Sequence, residues 1–398
     1  MRNKSDKKDK LSYKDILGEN HKYNKVTKKW DAIFTKYPND TKYNSLKDNH
    51  YGTTTFPWYK DSNNKEIEYI QSWLTIYPQQ TVTLSLQIDT IENSGKKNFT
   101  FEYDKALFKL STEKIPAQSK GKKRLNDHLK IECLKEFGSD QIIKVIDGTR
   151  QFGQLNIYKN AKVSRKKAPV VFVSVKTELN SGKKIEGTTQ NKNGKCEDEM
   201  LDKYLKQAYI TLENEEVLFD LTELDSITKK AKYLDFNKNF TLLDTRKDPS
   251  HPDKILNKFH NTNASDTLVK FMEREFNKAN PTYANHFKVF FFGDSGGKKD
   301  KKTGKIKGLG GYAMDIGSHI KIVKSVIVFK GRGEATVTHE LLHAMGLHHS
   351  FAYKKDFVYK KGVTTNIMDY SHINGIDRNQ IWLWQMKELW KNKIIKPE

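Results

Sequence analysis

The stretch His339-Glu340-Leu341-Leu342-His343-Ala344-Met345-Gly346-Leu347-His348-His349 constrains this chain more than any other part of it. Residues four apart on a helix lie one above the other, so His339 and His343 share a face and can bind one ion between them. Glu340 sits beside the first of them, a carboxylate placed to move a proton. Gly346 ends the helix, because glycine takes the left-handed conformation of a sharp helix exit without penalty. The turn brings the chain back so that His349 can supply a third imidazole. Three protein ligands with a fourth position open describe catalytic zinc, whereas structural zinc is closed by four.

A chain of 398 residues exceeds the usual single domain, and two domains plus a tail are expected. With 36% hydrophobic and 11% aromatic residues, each can bury a core. The net charge of +22 comes from lysines spread along almost the whole sequence. Scattered lysine keeps a surface solvated, while readers of nucleic acid cluster arginine with aromatics, so nucleic acid is not the expected main partner. Cys133 and Cys196 are too few for a disulfide framework or a Cys-x-x-Cys zinc site, and one bridge between them is the only disulfide open. Met1 to Lys10 is charged and no apolar h-region follows it. No apolar run reaches bilayer length, so a soluble chain without membrane span or N-terminal signal is expected.

Residues 1–45 are polar and Lys-rich and read as a basic, loosely ordered arm with one short helix around Lys28 to Phe34. Residues 46–165 read as a small all-β domain, sandwich-like and antiparallel. Its strands are Thr81 to Ile88, which alternates strictly, then Phe99 to Tyr103, His128 to Cys133, Gln141 to Ile146 and Leu155 to Tyr158. Turns such as Asn93-Ser94-Gly95 and Asp147-Gly148 separate them. Ser164 to Pro169 reads as a linker. Residues 166–398 alternate strands (Val170 to Val175, Val217 to Leu221, Phe287 to Phe292, Ile322 to Phe329) with helices. The helices show apolar stripes at Leu201, Tyr204, Leu205 and Ala208, at Leu268, Phe271, Met272 and Phe276, and at Trp382, Met386, Leu389 and Trp390. Gly293 to Gly308 reads as a long mobile basic loop. Gly310, Gly311, Tyr312, Ala313 and Met314 read as an edge strand whose glycines let a peptide approach the backbone; the same glycines also suit a bulge. The fold class is thus mixed α+β.

The helix motif continues as x-x-Gly-x-x-His, and Asn366-Ile367-Met368-Asp369-Tyr370 follows it. With both, the chain from residue 166 onward resembles the metzincin zinc peptidases, whose signature is that extended motif plus a Met-turn. The resemblance implies a twisted mixed sheet with an antiparallel edge strand, an active-site helix and a C-terminal helix. It implies one catalytic Zn2+ on His339, His343 and His349, Glu340 as general base, and Met368 as the apolar floor beneath the ion. Tyr370 matches the tyrosine of the astacin-like and serralysin-like branches, which reaches the metal or the oxyanion. Ser350 resembles the matrixin pattern instead. Neither cysteine has the surroundings of the matrixin cysteine switch. Phe291-Phe292-Gly293-Asp294 is similar to the astacin aspartate switch, but its place after a strand favours a turn. His348 competes with His349 as third ligand one residue early; His372 and His319 have no defined spacing and read as structural.

The expected function is zinc-dependent cleavage of a protein or peptide substrate paired with the edge strand near Tyr312. Two alternatives stand beside it: a non-catalytic basic binding module with a structural zinc, and a zinc hydrolase of cell-wall peptides. A cytoplasmic location and export by a signal-independent route are both open. Export is preferred, since an unrestrained endopeptidase endangers its own cytosol. A secretion apparatus or an inhibitor is then the partner class for the N-terminal domain.

Overall fold

Strand β1 (Lys166–Thr177) carries the run Val170-Val171-Phe172-Val173, and such a run suits a strand covered on both faces. The computed structural model describes residues 21–23, 30–32 and 45–398, except 61–62, 91–97, 117, 180–182, 191–192, 229, 231, 234, 249–250, 260–266, 301–302, 314–323, 353–356, 358 and 360. In it β1 lies between β2 (Ile210–Asp220) and β3 (Phe287–Phe292), parallel to both. The short strand β4 (Gly311–Ala313) closes this edge of the sheet by pairing antiparallel with β5 (Ser325–Val328), which itself runs parallel to β3. Two further short strands, Ile185–Glu186 and Lys396–Pro397, pair antiparallel with the two ends of β1.

Alternate residues of β1 feed two cores. Val170 and Phe172 join one apolar cluster, and Val171, Val173 and Val175 join the other. The first is covered by α1 (Glu197–Leu205), through Met200, Leu201, Tyr204 and Leu205. The second is covered by α2 (Leu268–Ala279), whose Leu268, Met272 and Phe276 are completely buried. Two later helices, α3 (Thr336–Ala344) and α4 (Leu383–Leu389), lie on the same face as α1, with Val337, Leu341, Leu342, Leu383, Met386 and Leu389 in the first core. A fully buried side chain of this size contributes roughly 1.5–3 kcal/mol. The helix bearing the histidines is therefore anchored on its apolar face, leaving the opposite face for chemistry.

Ahead of this sheet, Thr81–Thr90, Gly121–Cys133 and Phe108–Leu110 form a three-stranded sheet. A five-stranded sheet of Ser72–Leu74, Arg150–Ile157, Gln141–Asp147, Phe99–Glu102 and Lys114–Ile115 shares its core, with Phe108, Leu129 and Ile131 meeting Leu74, Phe101, Ile143 and Ile157. This unit is not purely antiparallel, because Ser72–Leu74 runs parallel to Arg150–Ile157. It is tied to the following sheet by Tyr209, whose hydroxyl donates to the Tyr158 carbonyl (2.9 Å) and accepts the Ile76 amide (3.0 Å). Leu46 and Tyr51 also pack into the first core of the later sheet.

Several expectations change. Residues 166–169 are no linker: they are the start of β1, with Ala168 fully buried. The basic stretch 293–308 contains a hairpin, Gly296–Lys299 with Ile306–Leu309, so Lys298, Lys299 and Lys307 belong to a paired ladder. Around Trp30 there is a strand, Trp30–Ala32, paired antiparallel with His21–Tyr23, in place of the expected short helix. Both cysteines are free thiols, Cys133 buried and Cys196 exposed. The rest of the arm, the turn at Asn93 to Gly95, Met314, His319 and the start of the strand expected at Ile322 lie outside the described residues. Among the described residues no helix is long and apolar enough to cross a membrane.

Candidate metal centre

Helix α3 ends as its sequence requires. The Leu347 amide donates to the Leu342 carbonyl (2.9 Å) and the Gly346 amide to the His343 carbonyl (3.0 Å), the paired bonds of a Schellman turn. Gly346 has φ +116°, where a β-carbon is strained, and Leu347 and Leu342 are both buried beside the turn. This exit sends the chain back over the helix and delivers His349 to His339 and His343.

Nε2 of His349 lies 3.2 Å from Nε2 of His339 and 3.1 Å from Nε2 of His343. The opposite nitrogens are engaged elsewhere: His339 Nδ1 donates to the Ile367 carbonyl (2.9 Å) and His343 Nδ1 to the Leu347 carbonyl (2.7 Å). Those bonds fix the tautomers of His339 and His343, so their Nε2 atoms carry lone pairs directed at Nε2 of His349. Burial and the neighbouring imidazoles hold the His339 pKa well below the ordinary histidine value, and burial above all pulls His349 down to about 3. Neutral imidazoles with converging lone pairs repel one another unless a cation lies between them. Zinc–nitrogen bonds of about 2.0–2.1 Å at a tetrahedral ion put the nitrogens roughly 3.3 Å apart. The donor set and its spacing therefore fit a metal ion, and the three histidines form a group able to hold one.

Glu340 occupies the next position on α3, half-buried. Burial raises its carboxyl pKa to about 7, against the lowering effect of the Ala313 amide donated to it from β4 and of the Arg378 charge. That edge strand lies tight against the helix: a β-carbon on Gly311 would sit 2.8 Å from Thr336 Cγ2 and 3.0 Å from Glu340 Cγ. Gly311 is thus glycine because α3 passes beneath it, which neither a peptide-approach nor a bulge argument requires. Gly310 precedes the strand, and Tyr312 pairs in register with Ile327. The Tyr370 ring is 4.8 Å from the His349 ring and 5.6 Å from that of His339. Met368 is fully buried in the first core, and its carbonyl accepts the Ser350 amide (3.1 Å), which pins the segment next to His349. His348 is half-buried and its ring is not among the three that converge; His372 is exposed on a short 3-10 turn.

Several functional residues have no signal in the linear motif. The Asp369 carboxylate is completely buried and accepts hydrogen bonds from the amides of Gly362 (2.8 Å), Tyr370 (2.7 Å), Val363 (3.2 Å) and Thr364 (2.9 Å) and from the Thr364 hydroxyl (2.7 Å). Asn366 donates to Gln385 (2.6 Å) and accepts from it (3.1 Å), fastening this turn to α4. Arg378 donates to the Asp369 carbonyl (3.0 Å), with the same nitrogen 3.4 Å from His339 Nδ1. Lys361 holds its ammonium 5.0 Å from the Tyr370 ring centre and 5.1 Å from that of Phe351, which stacks on His349. Ahead of α3, buried Arg332 pairs with buried Glu197 (2.7 Å) and donates to the carbonyls of Thr188 (2.8 Å) and Gln190 (2.7 Å), joining the N-terminal ends of α1 and α3. Asp294 sits apart from these groups, buried in a turn and accepting from the Thr177 hydroxyl (2.7 Å).

No protein-family model and no curated protein matches this chain.

Proposed function

We propose that the chain is a zinc-dependent endopeptidase of metzincin type, with the ion held by His339, His343 and His349. The observation that carries this reading is the convergence of three Nε2 atoms, those of His339 and His343 lying 3.2 and 3.1 Å from that of His349, at the helix that also carries the half-buried Glu340 carboxylate. A fully structural zinc needs four protein ligands and no neighbouring base. The mixed sheet with its antiparallel strand β4 beside the helix supports the same reading, since a peptide can add to that edge.

Bound there, zinc supplies Lewis acidity, polarising a peptide carbonyl and making a water molecule acidic near neutral pH. The protein's residues do the rest. Glu340 takes a proton from the attacking water as its oxygen joins the carbonyl carbon. Glu340 then gives the proton to the departing amine as the C–N bond breaks. The Ala313 amide orients the carboxylate for both transfers. The Tyr370 hydroxyl, on a ring next to two of the imidazoles, donates to the developing oxyanion. The carbonyls of Ile367 and Leu347 keep the imidazoles oriented.

The test compares wild type with Glu340→Gln for zinc content and for cleavage of a mixed peptide library. The expected result is about one zinc per chain in both and a loss of at least ~100-fold in turnover in the variant, the scale of a general base. Zinc in both with cleavage by neither contradicts the peptidase and leaves a structural zinc.

A further inference from the structure

We propose that this site selects substrates that bring a carboxylate beside the bond to be cleaved, received by Arg378 and Lys361. The proposal rests on the peptidase reading and names its substrate class.

Four other arginines meet carboxylates: Arg150 with Asp147, Arg165 with Glu136, Arg274 with Glu275 and Arg332 with Glu197. Arg378 does not. Its guanidinium is half-buried, and among the described residues it has no carboxylate within ion-pair distance. One nitrogen donates to the Asp369 carbonyl. The same nitrogen lies near His339 Nδ1, but that atom is already a donor to Ile367 and cannot accept. A guanidinium has five N–H donors, so among the described residues most of its hydrogen-bonding capacity is unspent. Desolvating such a cation is costly without an anion, and a site that keeps one invites an anion from outside.

Lys361 repeats the pattern beside Tyr370. Its ammonium is exposed, rests over the faces of Phe351 and Tyr370, and among the described residues has no carboxylate partner. The charges of Lys361 and Arg378 both fall on His349, and that of Arg378 also falls on Glu340. Two cations that have no carboxylate partner among the described residues therefore lie beside the histidine group. A peptide lying across it loses water from both, which strengthens their attraction for a carboxylate and their repulsion of a lysine. The carboxylate has two sources, an Asp or Glu side chain or the C-terminus of the substrate itself, and bidentate geometry at arginine accepts either.

The experiment uses the full chain loaded with zinc. Labelled peptides of one sequence are made with Glu, Gln or Lys next to the scissile bond and both ends blocked, and with Gln and a free C-terminus close to that bond. Their dissociation constants are measured by fluorescence anisotropy on the Glu340→Gln protein, and their cleavage by wild type. The expected result is that a carboxylate-bearing peptide binds roughly threefold to tenfold more tightly than the blocked Gln peptide, and the Lys peptide more weakly. The gap narrows as salt shortens the Debye length below ~8 Å. Which of the two carboxylate peptides gains tells a side chain from a chain end. Lys361→Glu is expected to invert the order of the Glu and Lys peptides. Equal dissociation constants across the set, or no inversion, overturn the proposal. Cleavage without discrimination refutes only this substrate class, whereas cleavage of no peptide by wild type refutes the peptidase reading itself.

Discussion

Replacing Asp369 with asparagine keeps the shape of the side chain but turns one acceptor oxygen into a donor. The native carboxylate accepts through Oδ1 from Gly362 and Tyr370, and through Oδ2 from Val363 and twice from Thr364. Whichever way the amide lies, its NH2 faces two backbone amides, those of Gly362 and Tyr370 or those of Val363 and Thr364. Each lost bond to a charged acceptor costs about 1.5–3 kcal/mol, so the variant loses about 3–6 kcal/mol. That is a large part of the ~5–15 kcal/mol that holds a domain together. The cost falls on the turn whose Ile367 carbonyl orients His339 and whose Met368 carbonyl holds Ser350, so zinc affinity drops with stability. Urea unfolding followed by tryptophan fluorescence reads the first effect, and competition with a chelator reads the second. Thr364→Val removes one of the five bonds and serves as the milder step, with a cost of ~1.5–3 kcal/mol. A loss under about 1 kcal/mol for Asp369→Asn with zinc affinity unchanged refutes the reasoning, because five such bonds cannot be idle.

Three other outcomes follow from particular contacts. His349→Ala is expected to weaken zinc binding by more than ~100-fold and His348→Ala far less, as only the former ring meets the other two; equal losses in a chelator titration refute this assignment. Arg332→Met leaves the Glu197 carboxylate buried without its partner and is expected to cost about 3–5 kcal/mol, with part regained when Glu197→Gln is added; additive losses in the double variant contradict it. Lys288 is fully buried in β3, its amine donating to the His286 carbonyl, and burial lowers its pKa from 10.5 to about 8. Between pH 8 and 10.5 the folded chain binds fewer protons there than the unfolded one, so stability rises with pH across that window. Below it the buried charge costs about 3 kcal/mol, so Lys288→Met is expected to raise Tm at pH 7 and to abolish that rise in Tm towards pH 10. Thermal melts at the two pH values check both.

What the sequence made legible is what local spacing controls. His339, His343 and Gly346 lie within one helix and its exit, so periodicity and a glycine locate them without the rest of the chain. The apolar runs at Val170 to Val175 and Phe287 to Phe292 likewise coincide with β1 and β3, because burial on both faces leaves no other pattern. The misplaced parts depend on partners distant in sequence. Lys166 to Pro169 looks like linker until β2 pairs along it, and the lysines at 298 and 299 look like loop until Ile306 and Lys307 lie opposite them. Arg378 returns to the histidines only through the fold of the segment after Tyr370, and no spacing rule marks it. Gly311 is visible in the sequence as a glycine, yet its reason, the closeness of Thr336 and Glu340, is a packing fact.

X-ray absorption at the zinc edge of the purified, zinc-loaded protein tests the central claim most directly. The expected result is stoichiometric zinc bound by three imidazole nitrogens and one light oxygen donor, at distances of about 2.0–2.1 Å, with one nitrogen lost in His349→Ala. Absence of stoichiometric zinc, a sulfur ligand from Cys133 or Cys196, or a shell that His349→Ala leaves unchanged contradicts it.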